Sequence, residues 1–261
     1  MATKRRKRPM RKVETHLNEA IGRKGCAHLA LVDPDKCDPT FARQVSLEAS
    51  RVGSAAIMVG GSTSVGGEVL DNVIKGLKSG SDLPVILFPG NLFGVSRYAD
   101  AVWFMSVLNS TNPFYITGAQ AVGSRMVKAY NLEALPLGYI IVSPGGTAGF
   151  ISQANEIPFD KPEAAAIYAL AAQYMGMRFV YLERGSGVES PISQAMVKMS
   201  KKILTESKLI VGGGIRSRVQ AREVAQAGAD IIVTGTVLEE KGLGMTLSEI
   251  LAGIEEGVNA R

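Results

Sequence analysis

The chain has 261 residues, 46% apolar and 20% charged, an ordinary globular balance with enough apolar material for one sizeable core. Its net charge of +5 is local, because residues 4–12, KRRKRPMRK, hold seven bases and no acid while the remainder is close to neutral. That composition excludes a bilayer-spanning or secretory reading, since no run approaches ~20 apolar residues. Cys26 and Cys37 stand without a CxxC or a histidine cluster, so neither a disulfide framework nor a zinc site is expected, and a reducing, cytoplasmic compartment is.

Residues 1–12 are expected to form a basic, disordered tail that could touch nucleic acid or anionic lipid headgroups. The single domain, 13–261, then opens with a strand at 28–33, HLALVD. Asp38-Pro39 supplies an N-cap and first-turn proline for a helix that stops at Gly53. Strands follow at 55–60 (AAIMVG) and 84–89 (PVILFP). The link to the next strand, 101–108 (AVWFMSVL), is only GNLFGVSRYAD, too short and glycine-rich for the helix a parallel crossover usually carries. The barrel wall should therefore lack its third outer helix, leaving either an apolar groove or a tight loop covered by another subunit.

Further strands are predicted at 137–143, 178–183, 208–212 and 230–235. Asp160 with Pro162 opens a helix before the sixth strand, and Ser217 opens one that ends at Gly228. Continuous, β-branched apolar runs suit strands buried on both faces of a parallel sheet. Eight of them alternating with helices, in a length close to ~250 residues, predict a (β/α)8 TIM barrel of α/β class.

In such a barrel the chemistry sits just past the strand C-termini. There the chain reads VDPDK, VGGSTS, FPGN, SPGGT, YLERGSG, VGGGI and TGT. Glycine lets backbone N–H groups approach phosphate oxygens, and a following helix N-terminus adds partial positive charge. Gly212, Gly213 and Gly214 ahead of Ser217, with Gly235 and Thr236 after the eighth strand, occupy the usual phosphate positions; plain turn chemistry is the alternative. Asp33 and Asp35 with Ser62 offer oxygens to a hard cation such as Mg2+, although Asp33-Pro34 could simply start a turn. Glu183 could accept a hydroxyl proton, or merely pair with Arg184. His16 and His28 lie away from these ends. Trp103, Phe104 and Met105 are core residues by default, with their place beside the groove raising a role in holding a long apolar ligand.

HLALVDPDK, IMVGGSTSV, ILFPGN, GVSRYADAVWFMSVLNSTNP, YIIVSPGGTAG, YLERGSG, IVGGGIRS and IIVTGTVLEE run in order from residue 28 to 239. Together they resemble the geranylgeranylglyceryl phosphate synthase family, related to the bacterial heptaprenylglyceryl phosphate synthases. The resemblance implies a prenyltransferase that joins sn-glycerol 1-phosphate to geranylgeranyl diphosphate with magnesium, in archaeal membrane lipid synthesis. It implies Asp33 and Ser62 as metal-site residues. It implies Tyr181, Leu182, Glu183, Arg184, Gly185, Ser186, Gly187, Gly212, Gly213, Gly235 and Thr236 around the glycerol phosphate, with Glu183 handling the hydroxyl proton. Arg184 departs from the family's usual YLEAGSG and could alter the basicity of Glu183 or add charge for the diphosphate. The basic tail is outside the family pattern. An exposed apolar flank would favour a homo-oligomer. Nucleic acid is not expected as a partner, because the domain offers no organised array of base-stacking aromatics. A phosphate-binding barrel of sugar-phosphate metabolism and a synthase for another chain length are the competing readings.

Overall fold

Eight parallel strands close on themselves in strict chain order. They are β1 Ala27–Val32, β2 Ala56–Val59, β3 Val85–Leu87, β4 Ala101–Val107, β5 Glu133–Ile141, β6 Phe179–Glu183, β7 Lys208–Gly212 and β8 Ile231–Thr234. The structure, a computed structural model, describes residues 12–61, 66–235 and 243–261. The helices are α1 Lys12–Lys24, α2 Pro39–Val52, α3 Glu68–Gly80, α4 Ala119–Ala129, α5 Gly146–Ile151, α6 Pro162–Tyr174, α7 Gln194–Ile203, α8 Arg218–Gln226 and α9 Leu243–Asn259. The predicted tail boundary moves by one residue, since Lys12 is the first residue of α1; residues 1–11 lie outside the described ones. None of the described helices is long and apolar enough to cross a membrane.

Local chemistry sets the helix ends. Asp38 caps α2 by accepting from the Phe41 N–H at 2.8 Å, Pro39 starts it, and Gly53 ends it with a left-handed φ of 91°. Ser217 and Gln220 form a capping box at α8. Asp160 is not the cap of α6. Lys161 holds that position without a side-chain bond, because a residue before proline is steered out of the helical region.

Strand alternation divides the apolar residues into an interior and two outer crescents. Leu29, Met58, Ile86, Trp103, Leu137 and Phe179 fill the interior, and a fully buried side chain of this size contributes about 1.5–3 kcal/mol. Val13, Leu17, Ala20 and Ile21 form one stripe of α1 and join that interior, so α1 closes the N-terminal end of the barrel. Glu133, at the start of β5, holds α1 in place by accepting from the Val13 and Glu14 N–H groups at 2.8 and 3.0 Å. The outer crescents pack β1–β4 against α2 and α3, and β5–β8 against α6 to α9.

Between β3 and β4 there are only turns and bends, as the spacing predicts. The strand after this gap, β4, is followed by a π-helical turn, Phe114–Gly118, that runs into α4. Among the described residues the flank of the barrel here is covered by the 88–99 loop and α4, with α3 beside them.

Candidate active site

Period-2 alternation along β6 sends Phe179, Tyr181 and Glu183 inward and Val180 and Leu182 outward. The inward set builds the interior in layers. Trp103 meets Phe179 edge-on at 5.0 Å between ring centroids. Above them Tyr181 stacks on Phe88 at 5.6 Å and meets Tyr139 edge-on at 5.3 Å. Glu183 lies on top of this aromatic layer, 7% exposed.

The Glu183 carboxylate accepts the Gly185 N–H at 2.6 Å and hydrogen bonds from the hydroxyls of Tyr139 and Tyr181. Burial pushes its pKa up, and these donors only partly offset that rise. The two tyrosines are themselves raised well above the ordinary range, chiefly by burial. They therefore stay protonated as donors to Glu183.

Glycines bring the loops around this acid into backbone contact. Gly185 and Gly213 have left-handed φ values of 98° and 86°. A Cβ on Gly185 would meet Gly145 backbone atoms at 2.9 Å, and one on Gly213 would meet the Gly185 oxygen at 2.8 Å and Glu183 Oε1 at 2.9 Å. The loops after β5, β6 and β7 thus nest with no room for a side chain between them. Behind them stands the N-terminus of α8, whose partial positive charge favours an anion.

One cavity of about 450 Å³ begins at this mouth and continues sideways through the barrel flank. Its polar end is lined by Asp33, Glu183, Ser186, Gly213, Arg216 and Gly235, and its apolar end by Leu92, Val95, Phe104, Tyr115, Gly123 and Val127. The apolar end lies where the outer helix is missing. Trp103 and Met105 face the barrel interior while Phe104 faces outward, so the aromatic run serves core and groove by alternation.

Of the predicted site residues, Asp33, Tyr181, Glu183, Ser186, Gly213 and Gly235 line the cavity. Leu182 does not; its side chain is buried in the outer crescent. Gly185, Gly187 and Gly212 are absent from the lining, and Gly185 acts instead through its N–H on Glu183. Arg184 also turns away from the site. Its guanidinium donates to the Ser190 carbonyl at 2.5 Å and stands 3.9 Å from the centre of the Phe159 ring, so it neither pairs with Glu183 nor faces the cavity. Ser62 and Thr236 lie outside the described residues. Asp33 fulfils the turn role as well, accepting from the Asp35 N–H at 3.1 Å at the head of a short 3-10 turn.

Sequence reasoning passed over Tyr139, Phe88 and Arg216. Tyr139 is the in-register partner of Tyr181 across β5 and β6, a signal legible only once the register is known. His28 is buried, with Ser54 and Thr234 hydroxyls each 2.9 Å from its ring nitrogens, away from the mouth. His16 contacts the Ala55 carbonyl at 2.8 Å.

The PcrB family model matches residues 19–254. The chain is 51% identical over 247 residues to the geranylgeranylglyceryl phosphate synthase of Thermococcus kodakarensis, covering 95% of this chain and 97% of that protein. It is 54% identical over 228 residues to the Pyrococcus abyssi enzyme of the same name, covering 87% and 90%. Among solved structures, (S)-3-O-geranylgeranylglyceryl phosphate synthase from Thermoplasma acidophilum, in complex with its substrate sn-glycerol-1-phosphate, superposes with a TM-score of 0.89 at 40% identity over 95% of this chain and 99% of that one. Thiamine phosphate pyrophosphorylase from Pyrococcus furiosus, at 14% identity and a TM-score of 0.57 over 90% of this chain and 98% of that one, shares the fold alone.

Proposed function

The chain belongs to the PcrB family, and from that premise we propose that it joins sn-glycerol 1-phosphate to geranylgeranyl diphosphate through an ether bond. The observation that carries this reading is the single cavity that runs from a glycine-lined, acid-bearing mouth to an apolar flank. A sugar phosphate needs the first half only; a prenyl donor needs both.

The nested β6 and β7 loops, with Ser186 and Arg216, take the glycerol phosphate. Holding it fixes the 3-hydroxyl against the prenyl C1, which removes orientational freedom from the reaction. The hydroxyl oxygen bonds to C1, the bond from C1 to the diphosphate oxygen breaks, and the hydroxyl proton goes to Glu183. Burial makes Glu183 a better proton acceptor than an exposed carboxylate, and Tyr139, Tyr181 and the Gly185 N–H hold its orientation. The apolar flank removes the isoprenoid tail from water, at about 0.8 kcal/mol per CH2 buried.

Asp33 fits a divalent cation that shares its ligands with substrate. It is a half-buried carboxylate on the polar wall of the cavity, and no group of three metal-ligating side chains exists among the described residues. Magnesium is commonly held by one or two carboxylates plus phosphate oxygens. Asp33 would hold it, with Ser62 as the second residue the sequence suggests. When bound, the ion offsets charge that develops on the departing diphosphate. Self-association belongs to the same proposal, supported by the outer face of α6, where Ile167 and Tyr174 are exposed.

The test is diphosphate release by purified protein with magnesium, across a series of prenyl diphosphates, with and without sn-glycerol 1-phosphate. Release should require both substrates and peak at one chain length. Glu183→Gln should lower kcat by roughly 10²–10⁴-fold, the range for a lost general base. A folded protein that releases nothing from any donor would refute the proposal.

A further inference from the structure

The lips of the apolar cleft have a composition unlike the rest of the chain. From Leu83 to Leu132 the only acidic residue is Asp100, and it is paired with Lys78. The same span carries Arg97, Arg125 and Lys128. α4 buries only Val127 among its eleven residues, and the π-helical turn before it buries none. Phe93 and Val122 are 77% and 62% exposed, and Met126 is exposed too.

These residues share one rim. Leu92 packs on α4, its Cδ2 lying 3.4 Å from where a Cβ on Gly123 would stand, so Phe93 and the outer residues of α4 flank the cleft from opposite sides. Val122, Arg125 and Met126 lie on one stripe of the helix by their spacing. The Arg97 guanidinium stands 4.9 Å from the centre of the Tyr130 ring, tying the loop to the end of α4. Lys75 makes the same kind of contact with Tyr98 at 4.3 Å. On the α3 side, Asp71 accepts from the Ser96 hydroxyl at 2.5 Å.

Exposed aromatic and aliphatic side chains interleaved with cations, with Asp71 and Asp100 already engaged by Ser96 and Lys78, suit the headgroup boundary of an anionic bilayer. A second copy of the chain is a poorer occupant. A two-fold contact centred on this face would bring Arg125 and Lys128 close to their own counterparts, a like-charge juxtaposition.

We propose that the rim formed by Phe93, Val122, Arg125, Met126 and Lys128 docks on an anionic lipid surface, so that the cleft opens towards the acyl layer. The inference rests on the reading that the cleft holds a prenyl tail, which would then pass between membrane and site without crossing water.

The experiment is flotation of the full-length protein with vesicles of phosphatidylcholine alone or mixed with phosphatidylglycerol. Binding should need phosphatidylglycerol and fall as salt rises. Arg125→Glu with Lys128→Glu should weaken it about thirtyfold or more, at about 1 kcal/mol for each cation near the surface. Phe93→Asn should weaken it as well. Full-length protein with Lys4, Arg5, Arg6 and Lys7 replaced by serine should still bind. Unchanged binding by the Arg125→Glu, Lys128→Glu protein would overturn the proposal. So would binding that vanishes only with the tail substitutions, or rim substitutions that change the oligomeric state and leave vesicle binding intact. Turnover separates this from the proposed activity. The Arg125→Glu, Lys128→Glu protein should keep its rate with a short, water-soluble prenyl diphosphate and lose it with a C20 donor presented in vesicles. A protein that binds vesicles and turns over no donor would support the docking rim and refute prenyl transfer.

Discussion

Gly213 is where backbone conformation and catalytic geometry meet, so Gly213→Ala measures both. Its φ of 86° is left-handed, which costs a residue with a Cβ about 1–2 kcal/mol. The added methyl would lie 2.8 Å from the Gly185 oxygen, 2.9 Å from Glu183 Oε1 and 3.2 Å from the Arg184 nitrogen. Two of those neighbours are rigid backbone, so the carboxylate is the group that yields. Relief of such overpacking costs about 1–3 kcal/mol. The Glu183 oxygen that moves also accepts the Gly185 N–H at 2.6 Å, so orientation is lost along with stability. We expect urea unfolding to show a loss of roughly 2–5 kcal/mol, and kcat/KM to drop by about 10–100-fold. Gly53→Ala supplies the comparison. It has a similar φ of 91°, but its methyl would crowd the flexible end of Lys24, at 2.9 Å, and make ordinary contact with Leu251 at 3.9 Å. That substitution should lose stability of about 1–2 kcal/mol and leave kcat/KM alone. Wild-type turnover by the Gly213→Ala protein would refute the argument that nested glycines set the position of Glu183.

Two further substitutions test the cleft and the buried histidine. Gly123→Leu should fill the apolar end and exclude two or so methylenes of a C20 donor, raising its KM about tenfold while sparing short donors; equal KM values across the series would place the tail elsewhere. Since leucine is also the better helix former by nearly 1 kcal/mol, a loss of fold is not the expected cause. Burial lowers the pKa of His28 to about 3, so the folded protein holds it neutral where the unfolded chain binds a proton. Stability should therefore fall as pH drops below about 6.5, at up to ~1.4 kcal/mol per pH unit until about 3. Urea unfolding of His28→Gln should lack that component, and an unchanged slope would show that other groups carry it.

Most of the architecture was legible because parallel strands buried on both faces leave continuous apolar runs. LIVG at 209–212 and IIVT at 231–234 can be read with no knowledge of their neighbours. The missing third helix was legible from spacing alone. β5 begins four residues before the predicted 137–143 run: Glu133 and Pro136 argue locally against a strand, yet Glu133 is needed to cap α1 and Pro136 pairs with Phe104 in register. Glu183 could be found because a lone acid ends an apolar run. Its neighbour Tyr139 could not, since that residue joins it only through the β5–β6 register, and Phe88 reaches the aromatic layer beneath only when the barrel forms. Arg184 shows the opposite limit. Adjacency to Glu183 suggests an electrostatic role, but Arg184 lies just past the end of β6 and its guanidinium is drawn to the Ser190 carbonyl and the Phe159 ring.

The gap that admits the apolar ligand also leaves the barrel with a weak seam. β3 and β4 share only two register pairs, Ile86 with Ala101 and Leu87 with Val102, whereas β4 and β5 share seven. The chain between these two strands supplies no helix of its own, and their outer faces pack on α3 and α4 from either side. In a closed ring of strands, cooperative unzipping begins where the fewest hydrogen bonds must break. Amide exchange in the folded protein should therefore be fastest along β3 and β4, the wall beside the apolar end of the cavity.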